Sequence, residues 1–303
     1  MKLDPRQLYE LEPDQPTLTG PVLIQALDGF VDAGGAARLA REHLLATLES
    51  RVIATFDVDQ LFDYRARRPV MLFVEDHWES YNTPSLALHL LTDKAGTPFL
   101  LLAGPEPDVQ WERFVAAIEQ LVNSLGVRLS IGLNAIPMGL PHTRPVGVIA
   151  HSSQKELVSS YQPWIGTVHV PGSAGHLMEY RLSQAGYAAM GFAAHVPHYV
   201  AQSDYPAAAA ALLREVSVAG GLVLPVEELE RAAEQTRTLI DAQVAESTEV
   251  AAVVHALENQ YDAFVSGRGR SLLDEADIPS GDELGAELER FLAEHNRRGD
   301  PPG

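Results

Sequence analysis

Short apolar runs alternate with helical patterns along the first two thirds of this chain, and then the runs stop. PVLIQAL (21–27) reads as a buried strand, bounded by Gly20–Pro21 and by Asp28–Gly29. DAGGAARLAREHLLATL (32–48) follows as a helix with Asp32 as its N-cap. RVIATFDV (51–58), TPFLLLAG (97–104), VRLSIGLNA (127–135), VGVIAH (146–151) and YAAMGFAAHV (187–196) read as further strands. Helices are expected over 109–126, with Phe114, Ile118, Leu121, Val122 and Leu125 on one face, and over 173–186, between a Ser173 cap and a Gly186 stop. A third opens at Pro206 and runs over 205–218. Such alternation predicts an α/β fold whose sheet is largely parallel and covered by helices on both faces.

After Gly221 the strand patterns end. Residues 224–265 form a long helical stretch, broken near Ser247–Thr248, in which Ile240, Val244, Ala251, Val254, Leu257, Tyr261 and Phe264 recur at three- and four-residue steps. Residues 268–282 read as a loop and 283–298 as a last helix. Residues 221–303 hold 7 basic and 18 acidic residues, net −11, within a whole-chain charge of −19. Two regions are therefore expected: an α/β sandwich at 1–220 and an acidic helical C-terminal region at 221–303. Like-charged tails repel, so the region is expected to cover its own domain rather than gather around an oligomer axis.

Net charge of this sign disfavours contact with phosphate backbones, so no nucleic-acid partner is expected. The chain has no cysteine. Disulfides, thiolate metal sites and cysteine nucleophiles are excluded, and a reducing compartment fits. The first residues carry no apolar signal segment, and no uninterrupted apolar run reaches about 18 residues. The expectation is a cytoplasmic protein with no membrane partner.

Ligands of open α/β sheets gather outside the carboxyl ends of the strands. Those ends carry Asp28, Asp32, Glu106, Asn134, His142, Arg144, His195 and His198, a candidate cleft rim on a parallel sheet. His195–Val196–Pro197–His198 has the density of an active site, but Pro197 keeps the pair off a helix face, and a strand exit reads better than a metal site. The turn after 21–27 lacks a phosphate-loop glycine pattern, and no G-x-S-x-G nucleophile elbow occurs. No metal and no cofactor is expected. A second patch, FDYRARRPVMLFVEDHWESY (62–81), brings Arg65, Arg67 and Arg68 beside Trp78 and Tyr81. It reads equally as a partner-contact surface or as a β-hairpin with a solvated tip.

The segments ALDGFVDAGGAA, FLLLAGPEPDVQWERF, HTRPVGVIAH and PGSAGHLMEYRLSQAGYAAMGFAAHVPHYVAQSDYPAAAAALL resemble the proteasome assembly chaperone 2 family, closest to its actinobacterial branch, over roughly residues 20–220. The resemblance implies a three-layer α/β/α sandwich similar to nucleoside phosphorylases, here with a helical C-terminal appendage. It also implies homo-oligomers, and relatives that assemble proteasome rings without established chemistry. Members that dock into ring pockets end in a hydrophobic residue, a tyrosine and one more residue. This sequence ends Asp300–Pro301–Pro302–Gly303, so that docking mode is not expected. The function that follows is a non-catalytic, homo-oligomeric assembly-chaperone-like or interaction protein, with itself and a protein client as partners. The alternative is a small-molecule enzyme or binder of phosphorylase, hydrolase or ligase type working in the strand-end cleft, with His195 as general base.

Overall fold

The computed structural model describes residues 3–14, 17–29, 31–161 and 167–266. The loop expected at 268–282, the helix at 283–298 and the chain end lie outside them. In chain order the elements are β1 (Tyr9–Leu11), β2 (Val22–Asp28), α1 (Ala36–Thr47), β3 (Ser50–Phe56), β4 (Met71–Val74), β5 (His77–Tyr81), β6 (Ala87–Thr92), β7 (Pro98–Pro105) and α2 (Trp111–Ser124). Then follow β8 (Leu129–Met138), β9 (Val148–His151), α3 (Ala174–Gln184), β10 (Ala189–Pro197), α4 (Pro206–Gly220), α5 (Glu227–Ala245) and α6 (Thr248–Ser266).

Eight strands form one sheet in the order β1-β3-β6-β7-β2-β8-β10-β9, and β4 and β5 pair apart from it. The centre is parallel, with β7, β2, β8 and β10 running together. The flanks are antiparallel, so the sheet is mixed. The connections explain this. Parallel neighbours need a long crossover, whereas β6 meets β7 through the tight turn Asp93–Thr97. In that turn Asp93 Oδ1 accepts from the amides of Ala95 and Thr97.

Alternate residues of each central strand face opposite layers. Ile24, Leu101, Ile131 and Phe192 pack with Ala37, Ala40 and Leu44 of α1 and with Leu212, Leu213 and Val216 of α4. Leu23, Leu100 and Leu102 pack on the other side with Phe114, Ile118 and Leu121 of α2 and with Met178 and Leu182 of α3. Each large side chain sealed this way contributes about 1.5–3 kcal/mol. The result is a helix–sheet–helix sandwich.

Gly221 closes α4 in the left-handed conformation, φ +61°. The chain then turns into α5, whose Leu229 and Ile240 join the α1–α4 core, while Val254 of α6 is also buried. The C-terminal helices thus lie on their own domain, outside the sheet.

Candidate functional site

A row of paired strand residues forms the floor of a cleft on the α2–α3 face of the sheet. Gln25, Gly132, Gly191 and His151 occupy one row across β2, β8, β10 and β9, each paired with the next. Glycines in the two middle places leave the row without side chains at its centre. A Cβ at Gly191 would lie 2.3 Å from His151 Cε1 and 2.8 Å from Glu179 Oε2, so these side chains rest on bare backbone. The N-terminus of α3 and the turns at Gly29–Asp32 and Pro171–Ser173 form the remaining walls, enclosing about 60 Å³.

Each wall is held from within. Ser173 Oγ accepts from His176 N at 3.0 Å and caps α3, as its sequence predicts. Glu106, 5% exposed, accepts the amide of Ala174, two residues before His176. Its carboxyl group sits at the positive end of the α3 dipole. Asp32 spans the start of α1, with Oδ1 accepting from Ala37 N (2.8 Å) and Oδ2 from Arg38 N (3.0 Å). Burial raises the Asp32 pKa even against those amides.

His176 and Glu179 stand three residues apart on α3 and face the sheet. Glu179 Oε2 lies 3.0 Å from His151 Nδ1. Asn134 Nδ2 donates to His176 Nε2 at 3.1 Å, which puts the ring proton of His176 on Nδ1. Burial, helped by neighbouring His151, lowers the His176 pKa and keeps the ring neutral at pH 7. Three buried polar atoms here have no hydrogen-bond partner: Gln25 Oε1, Asn134 Oδ1 and His176 Nδ1.

Of the eight rim residues expected from sequence, the structure brings Asp32, Glu106 and Asn134 into this cleft. Asp28 lies beside it, its Oδ1 2.7 Å from Arg41 Nη1. His195 shares the cleft face of β10, two rungs on, with its ring against Gly147. Its pKa falls to about 4 through burial. His198 is also lowered by burial and lies by the carbonyl of Met138. His142 and Arg144 are elsewhere, beneath the C-terminal helices. His142 Nδ1 is 2.6 Å from Tyr199 Oη and its Nε2 3.0 Å from Asp241 Oδ1 of α5. Arg144 reaches α6. Gln25, His151, Ser173, His176 and Glu179 were not among the expected site residues. The H-x-x-E spacing at 176–179 carried a usable signal, because it puts both side chains on one helix face.

The arrangement can bind and orient a small polar group among Gln25, Asn134, His176 and the His151–Glu179 pair. Among the described residues no group of three or more His, Asp or Glu side chains is placed to hold a metal ion. No described helix is long and apolar enough to cross a membrane.

A model of the PAC2 family matches residues 26–244. The chain belongs to the PAC2 family. This PAC2 protein is similar to the Mycobacterium tuberculosis protein Rv2714, of unknown function, at 50% identity and TM-score 0.83, over 95% of this chain and 96% of that one. It is similar to a Corynebacterium glutamicum protein of unknown function at 40% identity and TM-score 0.83, over 86% of this chain and 99% of that one. It is also similar to the M. tuberculosis proteasome-assembly chaperone homologue Rv2125, at 28% identity and TM-score 0.71, over 77% of this chain and 99% of that one. No curated protein matches. The fold expectation holds: a large sheet between helical layers, with a helical C-terminal region.

Proposed function

We propose that this PAC2 protein is a non-catalytic, cytoplasmic interaction protein that self-associates through the β4–β5 arm and holds a protein client. One observation carries the reading. The arm is a two-stranded hairpin outside the main sheet, and Val70, Met71, Leu72, Phe73, Trp78 and Tyr81 on it are all exposed, Trp78 to 62%. An isolated hairpin is marginal in water, and an exposed apolar patch of this kind fits a contact surface. Phe73 and Trp78 already pack edge to face, with ring centroids 5.0 Å apart, which stiffens the arm for docking.

The expected arginines divide their work. Arg65 and Arg68 are exposed and suit the polar margin of a contact. Arg67 anchors the arm instead: its Nη2 donates to Glu106 O (2.7 Å) and to Asp108 Oδ1 (2.5 Å). The likeness to a proteasome-assembly chaperone homologue supports a protein client.

Light scattering on the full chain and on a Phe73→Ser/Trp78→Ser variant tests the self-association. The expected result is an oligomer that becomes a folded monomer. A monomeric wild type, or a variant with unchanged mass, overturns it. Affinity capture from the host tests the client; recovery of none, together with clean turnover of a metabolite, overturns the non-catalytic reading.

A further inference from the structure

The α3 cleft has a consistent chemistry that the interaction reading does not use. Its ionisable walls are acidic: Asp32, Glu106 and Glu179 line it, and among the described residues no lysine or arginine does. His151 Nδ1 faces Glu179 Oε2 at 3.0 Å. The amides at the starts of α1 and α3 that meet Asp32 and Glu106 are dipoles, not counter-charges. The lining thus offers no fixed cation to pair with a phosphate, a carboxylate or a nucleotide. This separates the cleft from the anion sites that helix N-termini otherwise make.

A second, independent feature points to a ligand. Gln25 is 97% buried, at 3% exposed, within the apolar strand β2. Its Nε2 is engaged by Ser130 Oγ at 2.6 Å, but its Oε1 faces Gly132 with no partner. A buried acceptor left unpaired costs about 1–3 kcal/mol, so a fold keeps one where something else supplies the donor. Asn134 Oδ1 is in the same state, and both are acceptors. His176 Nδ1 is the complementary donor.

We propose that the cleft binds a small primary ammonium compound that carries a hydrogen-bond acceptor close to its nitrogen, such as an amino alcohol. Its N–H groups serve Gln25 Oε1, Asn134 Oδ1 and a carboxylate, and its acceptor takes the His176 Nδ1 proton. Size agrees. The space at the cleft floor is small, about 60 Å³, and suits a compact ligand of a few heavy atoms.

Gly132 supplies a clean probe. A Cβ there meets nothing closer than 3.9 Å, so alanine fits the sheet while filling the cleft floor. Thermal melting of the full chain is compared in ethanolamine hydrochloride and in equal tetramethylammonium chloride, which has the charge without N–H donors. The expected result is a rise of about 2–4 °C with ethanolamine at tenfold saturation, absent with tetramethylammonium. Gly132→Ala keeps its own melting temperature and loses the rise. Equal responses to the two salts, no response, or a persisting rise in Gly132→Ala overturns the proposal. So does a larger rise with sodium phosphate or magnesium chloride. If Gly132→Ala does not fold, the imidazole nuclear magnetic resonance signals of His151 and His176 in the wild type decide. They shift with ethanolamine if the proposal holds, and stay fixed if it is wrong. All melts are run at one protein concentration and compared salt against salt, so a difference between ethanolamine and tetramethylammonium reports on the cleft and stands apart from the light-scattering test of the interaction reading.

Discussion

Arg144 holds Asp262 by two parallel hydrogen bonds, Nε to Oδ1 at 2.8 Å and Nη2 to Oδ2 at 2.6 Å. The pair fastens the last turns of α6 to the loop between β8 and β9. Thr143 Oγ1 donates to Glu258 Oε1 one helical turn away (2.5 Å), and Arg144 Nη1 meets the same oxygen at 3.2 Å. Arg144 draws Asp262 below the usual carboxylate range. At Glu258 the Thr143 hydrogen bond leads the lowering, and His255 and Arg144 add to it. The apolar contribution of this end is small, since Phe264 and Val265 remain exposed. Arg144→Ala is therefore expected to free the end of α6 selectively. Amide exchange over residues 255–266 should rise at least tenfold while β2 and β8 stay protected. Wild-type α6 should approach the same exchange in 1 M salt, because exposed pairs are screened. Unchanged exchange in the variant would remove this clasp from the account.

Gly104 leaves β7 at φ +132°, and a Cβ there would sit 2.2 Å from Ser85 O. No side-chain rotation relieves a clash with backbone, and the conformation itself favours glycine. Gly104→Ala should destabilise the protein by on the order of 2–4 kcal/mol. Urea unfolding measures it as a lower midpoint with an unchanged slope. A loss below about 0.5 kcal/mol, the level of an ordinary surface substitution, would refute the argument.

Burial lowers His195 from 6.5 to about 4. Between those values the unfolded chain binds a proton that the folded chain refuses, so stability rises with pH. The contribution is whole above pH 6.5 and is lost as pH falls towards 4, by on the order of 3 kcal/mol. His89, His176 and His198 are lowered in the same direction, and burial leads each shift. Melting temperature should fall steeply from pH 6.5 to pH 4, and His195→Gln should flatten that limb. A parallel limb in the variant would show that this ring does not drive it.

What the sequence made legible was periodic. The apolar runs at 21–27, 97–104, 127–135 and 187–196 became the four parallel central strands, and Ser173, Gly186 and Pro206 punctuate helices as expected. The SLALHLL run forms β6, a strand absent from those expected, although its turn to β7, DKAGT, contains a plain glycine signal. Strand direction was less accessible. β9 follows β8 after the proline-rich segment 139–147, with no crossover helix, and that absence was the clue to its antiparallel course.

The cleft was harder to read because half of it is unremarkable in sequence. Gln25 stands inside PVLIQAL, where a single polar residue does not disturb an apolar run. Gly132 and Gly191 matter only because strand pairing sets them side by side. Conversely, His142 and Arg144 sit in the expected loop, yet their side chains turn towards helices that begin about a hundred residues later. Linear order carries no record of which layer a loop residue will meet.

The four-strand row beneath the cleft has a consequence for how such a site is inherited. Gln25, Gly132, Gly191 and His151 belong to four separate strands, and a slip of one residue in any strand turns its member to the opposite layer. The cleft is thus a property of alignment, closer to the tumblers of a lock than to a loop that can be exchanged. Insertions in loops away from its walls would leave it untouched. One strand out of step would erase it while the sandwich remained folded.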